Sequence, residues 1–410
     1  MHSLDKALKY VYEKHDLLRA RFVKNQGQWE GTISPEMDQN LLQIVRVSSR
    51  EERDQKGLEI QSQLDLAEGP LFQALYFKSS EPSLLLFAHH LVVDMVSWSI
   101  ILKDLDEAYE LYHRQKKLPL LRKTSAYPVW TNHLAQLGQA EKVKSEKSYW
   151  QTQVGHLPPA STEARPESAY ELLSFHLDAV LSQEILRELP QKYSIKTDEF
   201  LLAALANAYD KVFTQSKLTI GLEKHGRDVL AEDFDFSETV GWFTSYFPLR
   251  LELEVQDKDP FALKAIKEQV RQIPNAGLAY GLLRYLGGNS DLVAQPEIIF
   301  NYLGQSIVQE LPALGSYEMY FKGARDPRSE NYHSLELNVI FQEESFVFYL
   351  SFDTQKLARE KIELLSQTII QYCQELKEFC LSGEDAGYSP SDFPEAGLSQ
   401  DDLDNLLELL

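Results

Sequence analysis

The segment Ser83-Leu-Leu-Leu-Phe-Ala-His-His-Leu-Val-Val-Asp94 constrains the fold more than any other stretch of this chain. Its unbroken apolar part lacks the alternation of a half-solvated strand and reads as a buried strand. The residues that follow change period. Trp98, Ile101, Leu102, Leu105, Tyr109 and Tyr112 form an apolar stripe at helical spacing, with Asp94 or Ser97 placed to cap the helix.

The same mixture recurs along the chain. A helix pattern opens it, running from Leu4 through Leu8, Val11, Leu17 and Leu18 up to Arg21-Phe22. Strands are expected over 41–47 and 71–77. A polar, proline-bearing stretch over 114–170 holds helical patterns at 127–137 and 141–154, and 155–168 is the best candidate linker. Beyond it, strands are expected at 172–177, 218–222, 247–253, 297–301, 335–341 and 346–352. Helices are expected at 182–193, 198–213, 260–272, 277–286 and 356–380. A loop and a short capped helix end the chain. Two successive blocks of mixed strands and helices give an α/β or α+β architecture, not an all-helical bundle.

The length of 410 residues suggests two or three units at about 150 residues per domain. With 41 basic and 62 acidic residues the net charge is −21, which argues against a phosphate-backbone binder. The two cysteines, Cys373 and Cys380, stand seven apart on one face of an expected helix, a spacing that suits neither a disulfide nor a metal site. They read as buried structural thiols. No apolar stretch reaches the roughly 18 residues of a membrane span and the start has no apolar signal core, so a cytoplasmic protein is expected.

His89 and His90 end the apolar strand, with Asp94 four residues after the second. Neighbours on a strand point to opposite faces, so one imidazole would face a cavity while the other packs inward. Such an imidazole can take or give a proton near neutral pH. The alternative is a pair of satisfied core histidines, with Asp94 capping the next helix. A metal site is disfavoured, because opposite strand faces cannot converge on one ion and no Cys or His cluster stands nearby. At the end of another expected strand lies Glu223-Lys-His-Gly-Arg-Asp228, where a carboxylate can serve as acid or base. Its alternative is a solvated loop in which Glu223 pairs with Arg227 or Lys224. Thr239-Val-Gly-Trp-Phe-Thr244 and Phe300-Asn-Tyr-Leu-Gly-Gln305 read as aromatic core, although Asn301 and Tyr302 also offer hydrogen-bonding groups at a strand end.

The joint order of these segments, together with Tyr280-Gly-Leu-Leu-Arg-Tyr-Leu286, resembles the condensation-domain superfamily of nonribosomal peptide synthetases, and within it the epimerization branch. The resemblance runs from about Leu4 to Leu406. His-His-x-x-x-Asp is shared by the superfamily, and the other four motifs favour the epimerization branch. It implies two chloramphenicol-acetyltransferase-like lobes forming a V with a central channel. The lobes are expected at 1–160 (incomplete at its start) and 161–390, with a linker and short helix over 391–410. The implied reaction is inversion, L to D, at the α-carbon of an aminoacyl or peptidyl residue tethered as a thioester. The partner is a peptidyl carrier protein, whose phosphopantetheine arm is the only prosthetic group expected; the domain needs no cofactor or metal of its own. Adjacent synthetase modules are further partners, whereas nucleic acid and membrane are not. Motif matching carries the two proton-transfer roles to His90 and Glu223, one from each lobe. His89, Asp94, Asn301 and Tyr302 are supporting or structural, Asp94 tying down its loop through an arginine. Arg284 or Arg325 would meet the arm's phosphate.

Three departures from the family pattern carry expectations. Where the family has glycine after the aspartate, this chain has Met95, which tolerates a positive φ poorly and would reshape or fill the channel floor. Where the family has glycine after the glutamate, Lys224 puts a cation beside Glu223 that would lower its pKa if the charges lie close. Relatives also begin with a segment that this chain lacks. Its absence is expected to leave a strand without a partner and some apolar surface uncovered, as in a fragment of a longer synthetase. These departures keep two other readings open: a condensation catalyst that forms peptide bonds, in which Glu223 has no required role, and a catalytically degenerate scaffold.

Overall fold

Stripes of apolar residues decide where the chain divides. The computed structural model describes residues 1–38, 40–116, 123–155, 165–166, 169–227, 234–255, 259–292, 296–305, 311–316, 330–382 and 387–407. It falls into two units. The first comprises Met1–Gln136, His225–Thr244 and Ile307–Asp326, and the second Leu137–Lys224, Ser245–Ser306 and Pro327–Leu410.

In the first unit, α1 (His2–Lys14) buries Leu4, Ala7, Leu8, Val11 and Tyr12, a stripe at 3.6-residue spacing. A single 3₁₀ turn, Asp16–Arg19, leads into a hairpin of β1 (Ala20–Asn25) and β2 (Gln28–Ile33). The helix expected to reach Arg21-Phe22 therefore stops at Lys14. Leu17 and Leu18 belong to the turn, and Phe22 points into the core from a strand, because apolar residues four or five apart satisfy either period. β3 (Leu42–Arg46), α2 (Arg50–Gln61), β4 (Phe72–Lys78) and β5 (Ser83–Ala88) follow. They build a sheet in the order β3-β4-β5, with β3 parallel and β5 antiparallel to β4. α3 (Met95–His113) and α4 (Tyr127–Leu137) complete the unit, and α3 packs against α1.

The second unit opens with α5 (Glu141–Lys144) and α6 (Lys147–Val154). Short β6 (Arg165–Pro166) and then β7 (Tyr170–His176) precede α7 (Ala179–Gln183), which continues through a π turn into α8 (Leu189–Lys192). Next come α9 (Thr197–Phe213), β8 (Lys217–Lys224), β9 (Ser245–Glu252), α10 (Leu263–Arg271) and α11 (Leu278–Gly281), the last extended by the π turn Leu282–Leu286. β10 (Ile298–Gln305), short β11 (Glu330–Asn331), β12 (Leu335–Gln342), β13 (Ser345–Asp353), α12 (Arg359–Leu381) and α13 (Gln400–Leu407) end the described chain. Among the described residues no helix is long and apolar enough to cross a membrane.

The sheet order β7-β13-β12-β10-β8-β9 puts one residue from each strand in register across six strands. Leu173, Leu350, Leu337, Phe300, Leu222 and Phe247 form an apolar row. One residue further along, Ser174, Tyr349, Asn338, Asn301, Glu223 and Tyr246 occupy the opposite face. The sheet is thus two-sided: its apolar row is mostly buried and its polar row mostly half-buried. Helices α9 and α12 pack on each other. α9 is buried from Glu199 through Ala208, as expected of a core helix. α12 buries Ile362, Leu365, Ile369, Cys373, Leu376 and Cys380, and burial pushes the Cys373 thiol up to about 12, which leaves it inert.

This division differs from boundaries drawn at 160 and 390. The 141–154 segment is two helices, and it belongs to the second unit: the Trp150 ring lies 5.7 Å from Phe247 and 5.4 Å from Tyr280. Residues 225–244 return to the first unit. The tail packs on the second, since Asp392 accepts from Ser194 Oγ (2.9 Å) and Ser389 N–H (2.9 Å) and pairs with Lys267 and Arg271. The expected linker over 155–168 lies outside the described residues except for Gly155, Arg165 and Pro166.

Asp392 provides a pH test of this anchor. Burial works to raise its carboxyl, but Lys267, the Ser389 N–H, Arg271 and Ser194 outweigh it and hold the group down at about 2, against an ordinary 3.8. A depressed folded pKa gives stability that is complete above about pH 4 and disappears as the pH falls towards 2. After allowance for screening of a partly exposed carboxyl, it is worth about 1–2 kcal/mol. Asp392→Asn is expected to cost the same, about 1–2 kcal/mol at neutral pH, because the amide, like the protonated acid, leaves buried Lys267 without its counter-charge. In urea titrations the gap between wild type and variant should narrow below about pH 4 and close near pH 2; a constant gap would refute the assignment.

Candidate active site

In the first unit the apolar strand stops one residue short of the histidines. β5 ends at Ala88, and His90–Val92 is a 3₁₀ turn capped by His89, whose Nδ1 accepts from Leu91 N–H at 3.2 Å. The two imidazoles therefore sit on a turn, not on alternate faces of a strand, because the chain must break its ladder to enter α3. His89 is half-buried; burial, with His90 beside it, pushes its pKa below the ordinary value. His90 is exposed, its ring centroid 5.1 Å from that of Trp242.

Asp94 holds this turn from behind. Its Oδ1 accepts from Ser97 N–H (2.7 Å), capping α3, and from Arg227 Nη2 (2.7 Å), while Oδ2 accepts from Phe243 N–H (3.2 Å). Arg227 also donates to the carbonyls of Phe236 (3.2 Å) and Thr239, and its guanidinium lies 4.1 Å from the Phe243 ring centroid. Both charged side chains are almost fully buried. Ser97 Oγ accepts from Gly241 N–H at 3.0 Å, and Tyr127 Oη donates to the Trp242 carbonyl at 2.6 Å. A Cβ on Gly241 would run into the Tyr127 ring, so this position admits only glycine. The segment Thr239-Val-Gly-Trp-Phe-Thr is thus more than core: its backbone clamps Asp94 and Ser97, and its tryptophan faces His90. The sequence suggests Ser97 only as a helix cap and Trp242 only as aromatic core, and does not foretell their contacts with Gly241 and His90. The glycine ahead of two aromatic residues was the available signal of close backbone approach.

In the second unit, Glu223 stands near the end of β8 on the polar face of the sheet. Asn301, on the parallel neighbour β10, donates from Nδ2 to Glu223 Oε2 at 2.9 Å. Tyr246 lies opposite Glu223 on β9, its phenol pKa pushed up by burial and by nearby Tyr280. The Tyr246 ring leans over Gly221, where a Cβ would come within 2.6 Å of it. Tyr302 follows Asn301 but parts from it. It lies on the other face with Thr197 and Asp198 at the start of α9, and burial followed by the Asp198 charge pushes its phenol up to about 12. Arg284 rides on the π turn, 5.0 Å from the centroid of exposed Tyr285, and its Nη1 is 3.4 Å from Tyr280 Oη. Arg325 and Asp228 lie outside the described residues.

Two of the departures have placements of their own in the structure. Met95 is the first residue of α3 and has no positive φ, so a side chain there strains nothing. Met95→Gly is expected to destabilise by about 0.5–1 kcal/mol in thermal melts, the ordinary cost of glycine in a helix; a gain would restore the strain argument. Lys224 alternates with Glu223 along the strand and its Nζ pairs with Asp198 Oδ2 across the apolar-face end of β8. Burial works to raise the Asp198 carboxyl, and Lys224 outweighs it, so the lysine's charge lowers Asp198's pKa. Arg227, offered as a partner for Glu223, goes instead to Asp94. Among the described residues no group of three or more His, Cys, Asp or Glu is placed to hold a metal.

The chain belongs to the condensation-domain family, whose "Condensation domain" model matches residues 1–398. It is 34% identical to one of the linear gramicidin synthase proteins of Brevibacillus parabrevis, over 98% of its own length and 6% of that protein's. Against gramicidin S synthase 1 of Brevibacillus brevis it is 28% identical over 98% of its length and 39% of that protein's, so it spans well under half of these relatives. Among solved structures it superposes on the epimerization domain from the third module of tyrocidine synthetase B with a TM-score of 0.82 and 26% identity, covering 93% of this chain and 90% of that one.

Proposed function

We propose that this domain epimerizes, at the α-carbon, an aminoacyl or peptidyl residue held as a thioester on the phosphopantetheine arm of a carrier protein in nonribosomal peptide biosynthesis. The observation that carries the reading is the Asn301–Glu223 hydrogen bond, which fixes a carboxylate on the polar face of the sheet. Peptide-bond formation has no required use for a carboxylate there, whereas epimerization needs a second proton carrier besides His90. The likeness to an epimerization domain supports it.

The chemistry balances with these groups alone. One base takes the α-proton, the electron pair moves onto the thioester oxygen as an enolate, and a proton is returned to the opposite face of the carbon. No bond to sulfur breaks. A thioester carbonyl accepts that charge better than an amide, and a hydrogen-bond donor at the oxygen lowers the barrier further. Glu223 and His90 carry the proton, and Asn301 orients the Glu223 carboxylate. The carrier protein brings the arm and acts with the adjacent synthetase modules.

Chiral analysis of the residue released from a loaded carrier tests the proposal. With an L-configured thioester, the D-form is expected only when the protein is present, and in D₂O the α-carbon should take up one deuteron. A folded protein that leaves the residue wholly L and unlabelled refutes epimerization; joining of two carrier-bound groups by the same preparation would favour condensation, which the family description also admits.

A further inference from the structure

The polar row across the second unit's sheet extends beyond the residues that epimerization needs. From Glu223 it continues through Asn301, Asn338 and Tyr349 to Ser174, one residue per strand. A sheet face open to water ordinarily carries charged side chains; here the positions beyond Glu223 are neutral amides and hydroxyls, and Asn301, Asn338 and Tyr349 are only half-buried. Asn301 gives one donor to Glu223. Asn338, its register neighbour on β12, makes no side-chain hydrogen bond among the described residues, so both its donors and its acceptor stand uncommitted there. A carboxamide presents the same donor and acceptor pair as a peptide bond, which makes it a natural partner for main chain. The distance also fits. Four strand steps separate Glu223 from Ser174, about 19 Å at the usual inter-strand spacing, the length of roughly six extended residues.

We propose that the row from Asn338 to Ser174 seats the peptide chain upstream of the residue being epimerized, so that the substrate class is a peptidyl, not an aminoacyl, thioester. The proposal rests on the epimerase reading for its chemistry, and Asn338 is a specificity-determining residue that plays no part in proton transfer.

The test compares two carrier-bound substrates, an aminoacyl thioester and a tetrapeptidyl thioester ending in the same residue, using the full chain. In Asn338→Leu the kcat/KM for deuterium uptake from the tetrapeptide should fall at least tenfold, mainly through KM, while that of the aminoacyl substrate stays within twofold. Asn338→Ser, which keeps a polar group and relieves any packing strain, should lose less. Equal losses on both substrates, or none on the peptide, overturn the inference. Direct titration with a non-reactive tetrapeptidyl pantetheine amide separates this from the function itself. Wild type and Glu223→Gln should bind it alike, and Asn338→Leu at least tenfold more weakly. If wild type exchanges neither substrate yet binding still depends on Asn338, the epimerase reading fails and the peptide seat stands. Binding that is the same in every variant removes the seat.

Discussion

Replacing Glu223 with glutamine should reduce deuterium uptake at the α-carbon by about 10²- to 10⁴-fold and leave the melting temperature nearly unchanged. Glutamine has the volume of glutamate and keeps a carbonyl oxygen for the Asn301 amide, so the strand-end geometry survives. What disappears is the ability to take or return a proton. The variant therefore separates function from folding cleanly. If uptake persists within tenfold of wild type, Glu223 is not a proton carrier. If uptake falls together with the melting temperature, its role is structural. A condensation catalyst would keep most of its peptide-bond-forming activity in the same variant.

The second large effect is on stability. Arg227→Met should destabilise by about 3–5 kcal/mol, the cost of breaking a buried pair, because Asp94 would be left almost fully buried without its partner. For a chain of 410 residues that unfolds as one, this corresponds to a fall in melting temperature of about 4–6 °C. Arg227→Lys should cost roughly half as much. An ammonium keeps the charge but cannot span Asp94 and the carbonyls of Phe236 and Thr239 at once. The lost clamp should also free Trp242 from the His90 ring, so tryptophan fluorescence ought to differ between wild type and Arg227→Met. Losses below about 1 kcal/mol in both variants would show that the pair does not hold the turn.

The buried elements were legible in the sequence because one physical requirement fixed each of them. Strands at 335–341 and 346–352 appear as β12 and β13, each extended by one or two residues, and Asp94 caps α3 as its spacing before Ser97 suggests. The hairpin β1–β2 was hidden because its residues are mostly exposed, so no burial period marks them. The histidine turn was hidden for the opposite reason. Leu91, Val92 and Val93 continue the apolar composition of β5, while the break after Ala88 is dictated by the need to aim Asp94 at α3, a tertiary demand that no local window contains. At the candidate site, strand alternation was the missing consideration. It sends Lys224 to Asp198 while Glu223 meets Asn301, and it parts Tyr302 from its neighbour, so residues adjacent in the chain do unlike jobs.

The first unit is assembled from stretches that are far apart in the chain, with Arg227, Gly241 and Trp242 supplied after an excursion through most of the second unit's opening half. This bears on recombination. A single crossover between the genes of two relatives, placed anywhere within codons 137 to 224, gives a hybrid whose Asp94 and His90 descend from one parent while their clamp descends from the other. Such chimeras inherit mismatched interiors even when the join falls between domains by sequence. Productive exchanges have to swap the early segment together with residues 225–244, as a matched pair.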